Sequence, residues 1–75
     1  MSLAKMPVDD LIRIAQAGGG FRLDATHRSL DELMQIATAA KTGGATVIFS
    51  GMSAYYADDL IQIATAGKGL VIFED

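Results

Sequence analysis

The sequence predicts an α/β fold in which three helices alternate with the three strands of a parallel sheet. The first observation is a threefold internal repeat, because the segment 9–17 returns in similar form at 31–39 and 58–66. The second is that each copy runs through glycine into a short segment rich in β-branched or aromatic residues. The third is the constant order of helix and strand, which favours parallel strands joined by right-handed crossovers.

Each repeat begins with an amphipathic helix. At about 100° per residue, the apolar residues of the first copy fall on one broad side of the helix. They are Leu11, Ile12, Ile14 and Ala15, and the other two copies place leucine, methionine, isoleucine and alanine in the same way. This apolar stripe is wider than a coiled-coil seam, so we expect each helix to pack on a sheet and on a neighbouring helix.

Acidic pairs occupy the start of every predicted helix, where the helix dipole favours negative charge. These pairs are Asp9-Asp10, Asp31-Glu32 and Asp58-Asp59. Because they recur at equivalent positions, we interpret them as helix-terminus residues and not as metal ligands or a catalytic carboxylate pair. Ser29, three residues before Glu32, predicts a capping box at the second helix.

Glycines follow the last apolar turn of each helix, at 18–20, at 43–44, and at 67 and 69. A left-handed residue is favoured at that position, so they predict helix C-termini. The run Gly18-Gly19-Gly20 is not expected to hold phosphate, because it closes a helix and opens a strand. Phosphate loops have the opposite order.

Strands are predicted at the ends of the repeats, which span about 7–24, 29–50 and 56–73. Identical connections place all three helices on one face of the sheet. The predicted architecture is therefore a single domain with a three-stranded parallel sheet, resembling a very short solenoid.

The third repeat carries a family resemblance. The segment 49–53, Phe-Ser-Gly-Met-Ser, leads into the helix 57–64 and then into 69–73, Gly-Leu-Val-Ile-Phe. This arrangement resembles one unit of the helix-containing leucine-rich repeats, which alternate a strand, a short polar turn and a helix at a similar period. Most of the chain, from Val8 to Phe73, fits the pattern. The resemblance implies an α/β repeat and a role in binding, and it assigns no functional residue.

The composition points towards association. A chain of 75 residues buries only about 60% of its unfolded surface, yet 51% of the residues are hydrophobic and the mean hydropathy is +0.32. There is no cysteine to form a disulfide, and His27 is the single histidine, which excludes a histidine-cysteine metal site. We expect neither a metal nor a cofactor, so oligomerisation is the remaining way to stabilise so small a core.

The charge and the apolar runs exclude other classes of function. The net charge is −3, and the basic residues are few and scattered, which argues against nucleic-acid binding. No apolar run approaches the roughly 20 residues of a membrane span. The N-terminal residues lack the long apolar stretch of a signal peptide, so we expect a cytoplasmic protein with no membrane partner.

The face of the sheet away from the helices is predicted to be apolar in either strand register. One register turns Val47, Phe49, Val71 and Phe73 outwards. The other turns Ile48, Leu70 and Ile72 outwards. Parallel sheets normally have both faces covered, but one chain supplies helices for only one face. We therefore expect a homo-oligomer, with a twofold dimer favoured, in which a second copy covers the open face or extends the free edge at Phe73.

Two groups of residues are candidates for function. The predicted interface comprises Val47, Phe49, Val71 and Phe73, together with the adjacent tyrosines Tyr55 and Tyr56. The second group is a possible anion site formed by His27, Arg28 and Ser29, which follow the first strand where ligands bind in open α/β sheets.

The resulting hypothesis is a small self-associating protein-interaction or assembly module without catalytic activity. No serine-histidine-aspartate arrangement, nucleophile elbow or cysteine nucleophile can be assembled, so we expect no catalytic residue. One alternative is a small-anion-binding protein or weak enzyme that uses the turn around His27 and Arg28. Another is a piece of a longer repeat array.

Overall fold

A computed structural model describes residues 3–75 and confirms the predicted alternation of helices and strands. Its helices and strands are α1 (Val8–Gln16), β1 (Phe21–Asp24), α2 (Leu30–Gly43), β2 (Val47–Ser50), α3 (Ala57–Gly67) and β3 (Val71–Phe73). A short 3-10 turn, Leu3–Lys5, precedes them and was not predicted. The expectation about a signal peptide falls in part on Met1 and Ser2, which lie outside the described residues.

The three strands form one parallel sheet in the order β1-β2-β3. Helix α2 packs between α1 and α3, and the three helices share one face of the sheet. The predicted α/β fold class is therefore confirmed. Within residues 3–75, no helix combines the length and the apolar character that crossing a bilayer requires.

The strand register is the second of the two predicted possibilities. Val47 and Phe49 on β2 have no exposed surface and pack among the helices. Their neighbours in the chain point the other way, so that Arg22, Ile48 and Ile72 form one row across the open face. This placement corrects the interface prediction, because Val47 and Phe49 lie inside the chain and are not available to a partner.

The hydrophobic core lies between the sheet and the helices. Its largest fully buried side chains come from all three repeats. They are Phe49, Leu11, Leu23, Leu33, Ile36, Ile63 and Val47. All seven are either repeated leucine and isoleucine positions of the helices or inward positions of β1 and β2. The internal repeat therefore supplies the core.

The predicted helix ends are largely confirmed. The Ser29 hydroxyl accepts a hydrogen bond from the Glu32 backbone N–H at 3.2 Å, and the Glu32 carboxylate accepts one from the Ser29 backbone N–H at 3.0 Å, which completes the capping box. Gly44 ends α2 in the left-handed conformation at φ +73°. At α3 that role passes to Lys68, at φ +49°.

Two glycines at helix C-termini are required because other parts of the chain approach them closely, and not because they adopt a positive φ. A Cβ at Gly67 would contact the Val71 side chain. A Cβ at Gly43 would meet the carbonyl oxygens of Ala15 and Gln16, the latter at 2.7 Å. Because these are backbone atoms of α1, the absence of a side chain at Gly43 allows α1 and α2 to meet.

We therefore expect Gly43→Ala to destabilise the fold by about 1–3 kcal/mol through overpacking. Gly44→Asn is the matched control. Nothing lies within 4 Å of a Cβ at Gly44, and asparagine tolerates a positive φ, so this change should cost little. Urea denaturation of both variants measures the difference, and equal midpoints would contradict the close approach of α1 and α2.

Candidate functional site

The predicted anion site lies at the carboxyl end of β1, as expected, but Arg28 is already engaged there. One Nη atom of its guanidinium donates hydrogen bonds to the carbonyl oxygens of Ala4 at 3.0 Å and Met6 at 2.6 Å, with Leu3 at 3.4 Å. The other lies 3.7 Å from the Glu32 carboxylate. Since only 9% of the Arg28 side chain is exposed, it serves as a buried tether for the N-terminal segment.

The other two residues of the predicted anion site do not converge on a ligand. The Ser29 side chain belongs to the capping box of α2. His27 is exposed and lines a cleft of about 340 Å³. The cleft is also lined by two acidic residues, Asp24 and Glu32, and by two basic ones, Lys5 and Arg28, so it has no clear excess of positive charge for an anion. The three residues are thus adjacent, but Arg28 and Ser29 are engaged in separate structural contacts and His27 is exposed.

Asp24 organises the turn that carries His27. Its Oδ1 accepts hydrogen bonds from the Thr26 hydroxyl at 2.5 Å and from the Thr26 backbone N–H at 2.9 Å. These bonds, the hydroxyl bond foremost, lower the pKa of the Asp24 carboxyl below its ordinary value. Asp24 therefore stays ionised at neutral pH and adds negative charge to the cleft.

The two tyrosines of the predicted contact surface have different roles. The Tyr55 hydroxyl donates a 2.7 Å hydrogen bond to the carbonyl oxygen of Arg28, so it joins the turn before α3 to the turn before α2. Burial, followed by the charges of Asp59 and Glu32, raises the pKa of the Tyr55 phenol. Tyr56 occupies the N-cap position of α3 without a side-chain capping hydrogen bond and is 80% exposed. Of the two tyrosines, only Tyr56 exposes most of its surface to solvent.

The exposed apolar side chains gather in the third repeat. The large hydrophobic residues with the most exposed surface among residues 3–75 are Tyr56, Ile61 at 60% and Ile72 at 47%. Val71 and Phe73, from the predicted interface, are half-buried and pack partly on the core. The predicted interface included neither Ile61 nor Ile72, although the second of the two predicted strand registers turns Ile72 outwards.

The open face of the sheet combines apolar and charged groups. Ile48 and Ile72 lie beside Arg22 in one row. The Arg22 guanidinium forms an ion pair with the Glu74 carboxylate, which joins β1 to the end of β3 across the middle strand. Within residues 3–75, no group of three histidine, aspartate or glutamate side chains is arranged to hold a metal.

Comparisons with known proteins give no identification, since no protein-family model, curated protein or solved structure matches the chain. The resemblance to leucine-rich repeats therefore rests on the sequence pattern alone.

Loss of the tether should loosen the N-terminal segment. We expect Arg28→Ala to lower the free energy of unfolding by about 1.5–3 kcal/mol, because charged hydrogen bonds to three carbonyls disappear. The control is Arg22→Ala, whose exposed ion pair should contribute at most about 1 kcal/mol. Thermal denaturation compares the two variants, and an equal or larger loss for Arg22→Ala would contradict the assignment of Arg28.

The raised pKa of Tyr55 gives a pH dependence with a defined sign. The folded protein holds the phenolic proton more tightly than the unfolded chain, so this contribution is intact below the ordinary tyrosine pKa of about 10 and is lost as pH rises above it. Tyr55→Phe should cost about 1 kcal/mol at pH 7 through the lost hydrogen bond, and its stability should fall less steeply between pH 9 and 11.

The midpoints of urea denaturation between pH 9 and 11 measure this pH dependence of stability. Tyr56→Phe is the control, because Tyr56 is an exposed tyrosine. Parallel pH profiles for wild type and Tyr55→Phe would show that the Tyr55 phenol ionises alike in the folded and unfolded chains.

Proposed function

We propose that this protein is a small self-associating interaction module, with a homodimer as its simplest form and no catalytic activity of its own. The observation that carries the proposal is the exposed apolar surface of the third repeat, formed by Tyr56, Ile61 and Ile72. Ile61 lies on α3 and Ile72 on the open face of the sheet, so both the helix layer and the strand layer of this repeat expose apolar surface, which is typical of an interaction surface.

The size of the domain supports the same proposal. A core built from 75 residues is marginal, and this chain has no disulfide to reinforce it. Removing the exposed isoleucines from water contributes about 25 cal/mol for each Å² of apolar surface buried. Association would therefore stabilise the fold as well as create the functional assembly.

The polar turn around His27 gives less support to the alternative of an anion-binding protein. Arg28 is turned towards backbone carbonyls, and Ser29 caps α2. In the part of the chain that the structure describes, every buried side-chain nitrogen or oxygen atom already has a hydrogen-bond partner. The observations therefore favour an interaction surface over a ligand site.

The test is solution mass by light scattering over a concentration series. We expect wild type to give the mass of a dimer, and Ile72→Glu to give a folded monomer, because Ile72 points away from the core. Gln35→Glu adds the same charge at an exposed position of α2 and should leave the mass unchanged. A wild-type monomer at millimolar concentration would overturn the proposal.

A further inference from the structure

The two ends of the three-repeat stack differ in how they are covered. At the first repeat, the turn Leu3–Lys5 lies against β1, and Leu3 and Met6 pack on the core. Arg28 holds this segment through its carbonyl oxygens. At the third repeat, no described element lies beyond α3 or β3. Among the described residues, a segment therefore packs against the first repeat, and none packs beyond the third.

Comparison of α3 with the equivalent helix α2 identifies the surface that α3 exposes. Leu33 and Ala37 of α2 are fully buried, because α3 packs beside them; a Cβ at Gly67 of α3 would lie 3.5 Å from the Ala37 Cβ. The equivalent residues of α3 are Leu60, which is half-buried, and Ala64, which is exposed. This flank of α3 is thus a helix-packing surface that lacks its neighbouring helix.

The open end also includes the free edge of β3. The Leu70 carbonyl accepts a hydrogen bond from Val47, and the Glu74 N–H donates one to Phe49, so these residues direct their backbone groups towards β2. Backbone groups alternate along a strand, which turns those of Val71 and Phe73 to the unpaired edge. Two N–H and two C=O groups are therefore available for pairing with another strand.

We propose that a second copy of this chain occupies the open end, with β3 paired antiparallel to β3 and α3 packed antiparallel on α3 about a twofold axis. The result is a continuous six-stranded sheet. This inference rests on the proposed self-association and names its surface. In this register Val71 pairs with Phe73 of the second copy, and the two Ile72 residues face each other across the axis with a Cα separation of about 4.5 Å.

Charge complementarity favours this antiparallel arrangement. Lys68 lies at the C-terminal end of α3, and Asp58 lies in its first turn. Antiparallel packing of the two helices brings Lys68 of one copy to the acidic first turn of the other. In the strands it also brings Glu74 and Asp75 of one copy towards the Lys68 end of the other. Opposite charges therefore meet both between the two α3 helices and between the two β3 strands.

Head-to-tail stacking, with β3 of one copy beside β1 of the next, has the opposite electrostatics. Continuing the parallel register would place Glu74 beside Asp24. In addition, the turn Leu3–Lys5 packs against β1. These features disfavour an open filament and leave the closed, twofold contact.

Face-to-face packing of two sheets is disfavoured by the ion pair on the open face. Burying Arg22 and Glu74 would remove both charges from water. The edge contact would bury Ile61, Leu60 and Ile72 while leaving Arg22, on β1, two strands away from the interface. The apolar surface and the charges therefore select the edge and the α3 flank.

Cysteine cross-linking tests the arrangement in the full chain, which contains no cysteine of its own. We expect Ile72→Cys to form a disulfide-linked dimer under mild oxidation, because the facing Cα atoms lie within the range of a disulfide. Ile48→Cys, on the middle strand, should remain monomeric on a non-reducing gel. Efficient cross-linking at Ile48 but not Ile72 would overturn the edge arrangement while leaving self-association intact.

A second variant tests the strand edge without adding charge. Val71→Pro removes an outward N–H that makes no bond within the sheet, a position where an edge strand tolerates proline. We expect a folded chain, by circular dichroism, whose dimer dissociation constant rises by at least about 10-fold. A folded Val71→Pro variant that dimerises like wild type would overturn strand pairing. Ile61→Glu tests the helix contact in the same way, and we expect it to weaken the dimer without unfolding the chain. A wild-type monomer would overturn the proposed function itself.

Discussion

The contact of each helix with the next one is the constraint on which this structure depends. Each repeat places a broad apolar surface on its helix, and the sheet covers only part of it. In α2 the remaining flanks are buried on both sides, which leaves Leu33 and Ala37 without exposed surface. At the last repeat the same sequence pattern has no following helix within the chain, so the requirement that organises the core also creates the exposed surface of α3.

The two ends of the stack meet this constraint differently. At the first end, Arg28 satisfies three backbone carbonyl oxygens of the segment that covers β1. Tyr55 connects the same turn to the start of the third repeat. A cluster that has the composition of a ligand site thus serves to hold the chain together. No described segment plays that part at the third repeat, where the edge of β3 and one flank of α3 are exposed.

Much of the fold could be predicted because local signals agree with it. Ser29 and Glu32 carry the capping box in their spacing, and Gly44 marks a helix end. The strand register could not be predicted, because Val47, Ile48 and Phe49 are all apolar and either alternation satisfies the pattern. The role of Arg28 was hidden for another reason: its acceptors are backbone carbonyls, which have no signature in the sequence.

The central claim is that the exposed edge of β3 pairs with a second copy. Amide hydrogen exchange along β3 tests this claim most directly. Ile72 is an internal reference, since its backbone groups face β2 within the chain. The account predicts that the amides of Val71 and Phe73 are protected at high protein concentration and lose that protection on dilution, while Ile72 stays protected. Unprotected exchange at Val71 and Phe73 at every concentration would contradict it.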